Sequence, residues 1–165
     1  QTCALPILDK AGIQLVGSGN LTTDEEMGNM GEAALGVTTS YHYSMVADRP
    51  ANRSFQSLFA KEYGDKVIAN FVTVTAWDAM DAIYGAIRAQ GGKLDPDKTI
   101  EVLRNYKNAN SPRGPISIDP ETRDIVQNIY IREIRKVDNR LTNVDIATFP
   151  MVKDPWKRDN PPKQN

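Results

Sequence analysis

The chain has 165 residues, 40% hydrophobic and 25% charged, with 20 Lys and Arg against 21 Asp and Glu and a formal net charge of -1. Charge this evenly balanced leaves no electrostatic footprint for nucleic acid or for an anionic membrane surface, and no apolar run reaches the roughly 20 residues that a bilayer-spanning helix needs. The single cysteine, Cys3, excludes a disulfide framework. In chain order, residues 1–7 (QTCALPI) can be encoded by CAG ACG TGT GCT CTT CCG ATC, the end of a common sequencing-library adapter. They are read as non-native and kept out of the fold reasoning.

Residues 12–16 (GIQLV) read as a short buried strand running into Gly17, Ser18, Gly19 and Asn20. Thr22 or Thr23 with Glu25 or Glu26 three residues on is a capping-box signal, predicting a helix over 24–30. Strand, glycine turn and helix is how α/β proteins build ligand sites, because backbone N–H groups and the positive helix end converge there. A dinucleotide fingerprint would need a third glycine where Thr22 stands. Residues 33–43 (AALGVTTSYHY) are strand-like. The only histidine, His42, stands between Tyr41 and Tyr43 with no second metal ligand in sight, and reads as a surface or interface residue.

Three helices are predicted next, over 52–63, 76–90 and 96–106, the last with Asp95 as N-cap and Pro96 at its first position. Their expected buried faces carry Phe55, Leu58, Phe59 and Tyr63; Met80, Ile83 and Ile87; Ile100 and Leu103. Between the first two, residues 67–75 (VIANFVTVT) form a β-branched run suited to a buried parallel strand. Residues 111–134 (SPRGPISIDPETRDIVQNIYIREI) then give a tight corner, a short strand over 116–119, a turn, and a long β-branched strand. Asp138 and Asn139 suit a hairpin turn needing positive φ. After Pro150 the chain is polar and proline-rich, with only Trp156 expected to dock.

The succession GEAALGVTTSYHYS, PANRSFQSLFAKEYG, TAWDAMDAIYGAI, residues 111–134 and a closing KDPW resembles the C-terminal part of a type I periplasmic binding protein. The group it resembles is that of the leucine/isoleucine/valine-binding receptors of ABC transporters. The resemblance implies an α/β fold of two doubly wound Rossmann-like lobes, incomplete here. Residues 8–38 would lie in the C-terminal lobe, 44–128 in the N-terminal lobe and 136–156 back in the C-terminal lobe, with 157–165 a flexible tail. Crossings would fall near 38–43 and 129–134. It also implies a periplasmic protein, or an extracellular membrane-anchored lipoprotein, that is not an enzyme. Such a protein takes a small-molecule ligand in an interlobe cleft and works with an ABC permease, with no cofactor and no metal. A ligand-sensing domain of a receptor or regulator shares this fold, and a Rossmann-like enzyme fragment is a further alternative.

By the same resemblance the ligand-binding residues are Ser18, Gly19 and Asn20 in the C-lobe loop, Trp77 as an aromatic packing on the ligand, and Asp78. Trp77 has an alternative reading as a helix-face core residue, and Asp78 as a first-turn helix acid. The loop is neutral where amino-acid-binding relatives commonly carry an acidic residue. A zwitterion would there lose about 1.5 to 3 kcal/mol of charge-assisted bonding. An amide, a carboxylate or an aromatic acid is as reasonable a ligand as leucine. The polar residues offer no nucleophile set, since Ser18, Ser40 and Ser44 lack a sequence partner.

Overall fold

A computed structural model describes residues 10–64 and 66–160. The segment read as non-native, residues 1–7, and the last five residues of the expected tail lie outside the described residues. Among the described residues six strands form one sheet: β1 (Val16–Ser18), β2 (Thr38–Tyr41), β3 (Lys107–Asn108), β4 (Ile116–Ile118), β5 (Ile125–Val137) and β6 (Arg140–Val152). The order is β1-β2-β5-β4-β3, with β6 also paired to β5. Only β1 and β2 run parallel; the other pairs are antiparallel. The helices are α1 (Met27–Met30), α2 (Pro50–Tyr63), α3 (Phe71–Ala89), α4 (Pro96–Arg104) and α5 (Pro155–Asp159). This is the mixed α/β architecture expected.

The long strand β5 serves two sets of neighbours along one edge. Residues 125–127 pair with β4, and residues 130–133 pair with β2, while β6 follows the opposite edge. Asp138 and Asn139 turn the hairpin with φ of 48° and 63°, the left-handed pair that a two-residue turn requires. β6 returns along all of β5, so that Phe149 lies beside Ile129 and Val152 beside Gln127. Two irregularities interrupt this pairing: one leaves Ile146 extra between Asp145 and Ala147, the other falls at Pro150 and Met151. Pro150 has no N–H to give to a ladder, and a bulge is where a strand tolerates it.

Two hydrophobic clusters flank this strand. One joins Met27, Ala34, Val37 and Ile134 with Leu15, Met30 and Leu141; the other joins Tyr43, Phe55, Ala69 and Val74 with Met45, Phe59 and Phe71.

Several local expectations are overturned. The predicted strand over 67–75 is absent: Asn70 caps α3 by accepting from the N–H groups of Val72 (2.9 Å) and Thr73 (3.1 Å). The hydroxyls of Thr73 and Thr75 bond back to the carbonyls of Asn70 and Phe71, both at 2.8 Å. β-branched residues cost only tenths of a kcal/mol each in a helix, so one good cap outweighs their strand preference. The capping-box helix over 24–30 shrinks to α1 between two 3-10 turns, because Thr22 points into the protein to Thr39 and Asn143 instead of capping. The first strand starts at Val16, not at residue 12, and the strand-like run over 33–43 is cut to β2, behind Gly36 at φ 81°.

The buried stripe of α3 is Val74, Asp78, Ala82 and Ala86, whereas Met80 and Ile83 are exposed, as are Leu58 and Tyr63 on α2 and Ile100 on α4. In α3 apolar residues occur on every side, which gives periodicity no means of choosing one. The chain is helical over Pro155–Asp159. It is anchored by Lys153 to Asp119 (2.8 Å) and Lys157 to Asp124 (2.7 Å), while Trp156, expected to dock, is 69% exposed. Among the described residues no helix is long and apolar enough to cross a membrane.

The corner before β4 depends on Gly114, at φ 97° directly beneath the Tyr130 hydroxyl, which donates to the Arg113 carbonyl at 2.6 Å. A Cβ there meets both a strained backbone and the tyrosine, whereas Gly92 at φ 84° has open space around it. Gly114→Ala should therefore destabilise by about 2–4 kcal/mol and Gly92→Ala by about 1 kcal/mol, compared by urea titration; equal effects would remove the steric part of this account.

Candidate functional site

The middle of β5 places a cation inside the protein. Arg132 is 2% exposed; its Nη1 donates to the Tyr43 carbonyl (2.8 Å) and its Nη2 to Thr39 Oγ1 (3.2 Å) and the Gly19 carbonyl (3.4 Å). Its guanidinium carbon lies 4.9 Å from the centre of the Tyr41 ring. Burial pulls its pKa down and the nearby Asp24 and Asp145 oppose this; an arginine stays charged under such opposing pulls. One side chain thus ties the turn after β1, the strand β2 and the segment beyond it.

Above the guanidinium sits an aromatic group. Tyr41 packs on His42 at 4.6 Å and edge-on to Phe71 at 5.0 Å, and His42 is 6.2 Å from Phe71. The Tyr41 hydroxyl donates to Asn20 Oδ1 at 2.8 Å. Gly19 lies so close under the Tyr41 ring that a Cβ there would meet it, and any other residue would require the ring or the turn to shift. Burial, reinforced by the positive charges of Arg113 and Arg132, pushes the His42 pKa down to about 4. Its Nε2 is shielded from water and has no hydrogen-bond partner.

A second polar chain leads away from this point. Arg49 bonds Asp145 at 2.9 Å and lies 4.2 Å above the Tyr130 ring, and the Ser44 hydroxyl donates to the other Asp145 oxygen. Tyr130 reaches the Arg113 carbonyl, and Arg113 bonds Asp78 through Nε (2.7 Å) and Gln127 through Nη1 (2.7 Å). Ser111 completes the set at 2.9 Å from the same Asp78 oxygen.

Of the sequence-predicted site residues, Ser18, Gly19 and Asn20 fall together, at the end of β1 and the turn after it, with Ser18 and Asn20 exposed. Trp77 and Asp78 lie further along α3, about 9 Å past Phe71 at 1.5 Å per residue. Trp77 is 46% exposed and packs edge-on to Phe55 at 5.4 Å. It lines an open apolar groove of about 700 Å³ between α2 and α3 with Leu58, Tyr63, Met80 and Tyr84. Asp78 is the eighth residue of α3, not a first-turn acid, and its buried carboxylate holds Arg113; burial raises its pKa against the pull of that arginine.

Tyr41, Phe71 and Arg132 were not singled out by sequence. Phe71 was hidden inside the supposed strand over 67–75. Arg132 carried the one available signal, a charge in the middle of an apolar β-branched run. Among the described residues no group of three His, Cys, Asp or Glu side chains is placed to hold a metal ion.

The sequence pattern of the family described as periplasmic binding protein matches residues 8–139. Leu/Ile/Val-binding protein homolog 6 of Brucella abortus is 44% identical over 149 residues, covering 90% of this chain and 38% of that protein. A solute-binding protein of an ABC transporter from Rhodopseudomonas palustris HaA2, in complex with p-hydroxybenzoic acid, aligns with TM-score 0.85 at 40% identity, over 94% of this chain and 42% of that one. The counterpart from R. palustris BisB5, in complex with 3,4-dihydroxy benzoic acid, aligns with TM-score 0.84 at 45% identity, over 93% of this chain and 42% of that one. The chain spans 38% of the length of the curated relatives it matches.

The burial of His42 makes stability depend on pH. An unfolded histidine titrates near 6.5 and folded His42 near 4, so as pH falls from about 6.5 to about 4 the unfolded chain gains a proton that the folded one refuses. Stability should decline through that window and less steeply in His42→Gln, measured by urea titration at several pH values; identical slopes would contradict the neutral buried imidazole. Trp77→Ala should cost about 1–2 kcal/mol of stability through lost aromatic packing and leave ligand affinity unchanged, and a large loss of affinity would return Trp77 to the cleft.

Proposed function

The chain belongs to the periplasmic binding protein family, and on that premise we propose that it is the C-terminal part of the solute-binding component of an ABC importer. In this reading the protein captures a small carboxylate in a cleft between two lobes and delivers it to a membrane permease. It binds its ligand without transforming it. The family implies a periplasmic location.

The lobes divide along β5. Of the described residues, those of 10–38 and 136–146 belong to one and those of 44–128 and 149–152 to the other, and the two hydrophobic clusters are their cores. β2 and β5 carry the chain across, with β6 as a third crossing strand at the bulge left by Ile146. Hinge closure about such crossings buries a ligand held between the lobes.

The observation that carries the ligand class is the surrounding of the turn formed by Ser18, Gly19 and Asn20. Arg132 is buried beneath it, Tyr41 and Phe71 form an aromatic shelf beside it, and the turn itself bears no acid. An α-ammonium group there meets positive potential and no counter-charge from the turn. A carboxylate meets the Ser18 hydroxyl, the Asn20 side-chain amide and backbone N–H groups, with a cation behind them. Two acids stand near: Asp24 is engaged by Asn143 at 3.2 Å and Glu25 by Asn70. An aromatic ring stacks on Tyr41 and Phe71. The relatives crystallised with hydroxylated benzoic acids support the same class. Ser18, Gly19 and Asn20 are thus retained as ligand-binding residues; Trp77 is assigned to helix packing and Asp78 to holding Arg113.

Calorimetric titration of the full-length protein with 4-hydroxybenzoate, benzoate and leucine tests this. An aromatic acid should bind with a Kd of about 1 μM or tighter, near -8 kcal/mol, and leucine at least a hundredfold more weakly. Tighter binding of leucine, or no binding of either aromatic acid, would overturn the carboxylate reading.

A further inference from the structure

We propose that Asn70 and Glu25 form a clasp that holds the two lobes shut beside the ligand turn and so sets how slowly a bound solute leaves. The inference rests on the division into lobes and on the solute-binding reading, and does not depend on which solute is bound. Asn70 donates from Nδ2 to Glu25 Oε1, from residues 44–128 across to residues 10–38. Among the described residues no other hydrogen bond or ion pair joins those two segments directly. The remaining polar links between the lobes are made on or beside the crossing strands: Arg132 stands on β5, and Asp145, which holds Ser44 and Arg49, lies opposite it on β6. Rotation about those strands leaves contacts on them in place. It moves Asn70 against Glu25, because both stand off the strands, in the segments that lead into α3 and α1.

The residue types fit this task. Asn70 caps α3 with its Oδ1, through the N–H groups of Val72 (2.9 Å) and Thr73 (3.1 Å). Aspartate caps a helix as well as asparagine does but has no donor left over, whereas the asparagine amide can give a hydrogen bond while its oxygen stays on the cap. Glu25 is exposed, and among the described residues its carboxylate has no other hydrogen-bond or ion-pair partner. Its neighbour Asp24 is the acid taken up within its own lobe, by Asn143. Phe71, next to Asn70, packs on Tyr41, whose hydroxyl bonds Asn20 of the ligand turn, so the clasp lies beside that turn. A bond made only when the lobes are shut has to break before a solute escapes, and it therefore acts on release more than on capture.

The test follows release of 4-hydroxybenzoate from the full-length protein by surface plasmon resonance, in wild type, Asn70→Asp, Glu25→Ala and the exchange Asn70→Asp with Glu25→Gln. Asn70→Asp keeps the cap, removes the donor and sets two carboxylates face to face, so release should quicken by about tenfold; Glu25→Ala, which only removes the acceptor, should quicken it by about threefold. In the exchange the glutamine amide donates to the aspartate carboxylate, remaking the bond with its direction reversed, and release should return to within about twofold of wild type. Unchanged release in both single variants would overturn the proposal. So would an exchange that releases as fast as Asn70→Asp, the mark of a cap or charge effect with no bond between the two side chains. If wild type retains leucine but neither 4-hydroxybenzoate nor benzoate, the carboxylate reading falls and the same comparison, made with leucine, decides the clasp. A wild type that retains none of the three would instead sink the solute-binding reading itself.

Discussion

A guanidinium buried in the middle of a β-strand has to find hydrogen bonds for its charge, and Arg132 finds them on three separate stretches of chain. A buried cation without such partners would cost several kcal/mol, so the position of the turn at Gly19, the strand β2 and the backbone at Tyr43 is fixed by one electrostatic demand. The Tyr41 ring closes over the guanidinium as a cation–π partner. That ring in turn occupies the space that a Cβ at Gly19 would need and places the shelf on which His42 and Phe71 pack. Structure and candidate site are therefore one arrangement seen from two sides.

The same strand carries a second demand two residues earlier. Tyr130 faces Arg49 and the Arg113 carbonyl, and Arg113 is neutralised by Asp78 from α3. Removing one partner from a buried ion pair leaves a charge unpaired and costs about 3–5 kcal/mol, so α3 and the corner before β4 are held to β5 as a unit. Asp145, just before the bulge at Ile146, joins Arg49 and Ser44 to the opposite edge. Polar links are thus concentrated where the strands cross, and the two apolar clusters lie to either side. Hydrogen bonds of fixed geometry specify register, whereas apolar contacts tolerate sliding.

α3 shows how a helix can answer to two requirements. Its narrow side, Val74, Asp78, Ala82 and Ala86, faces inward, and its broad apolar side with Trp77, Met80 and Tyr84 faces a groove shared with α2. Its first residue, Phe71, reaches Tyr41. The start of one helix therefore lies at the candidate site, while Trp77, six residues on, is set edge-on to Phe55.

Local chemistry by itself determined the elements that have a local cause. The Asp138-Asn139 turn, the Asp95 and Pro96 start of α4, the long β-branched strand and the succession of segments that marks the family were all legible, because turns, caps and strand propensity act within a few residues. Ser18, Gly19 and Asn20 were legible as a turn between strand and helix for the same reason. What tertiary structure alone decided were the cases in which a distant group outbid the local pattern. Thr22 left its cap for Asn143, 121 residues away, and Trp77 turned to Phe55 on a neighbouring helix. His42 has its pKa lowered first by burial and then by the charges of Arg113 and Arg132 from two other segments. The strand expected over residues 67–75 gave way to α3 once Asn70 capped it and Val74 joined the core of Tyr43 and Phe55. Arg132 stood in the sequence as a charge in an apolar strand, and only the fold shows why it is there: its partners are 89, 93 and 113 residues away, and no local pattern carries that distance.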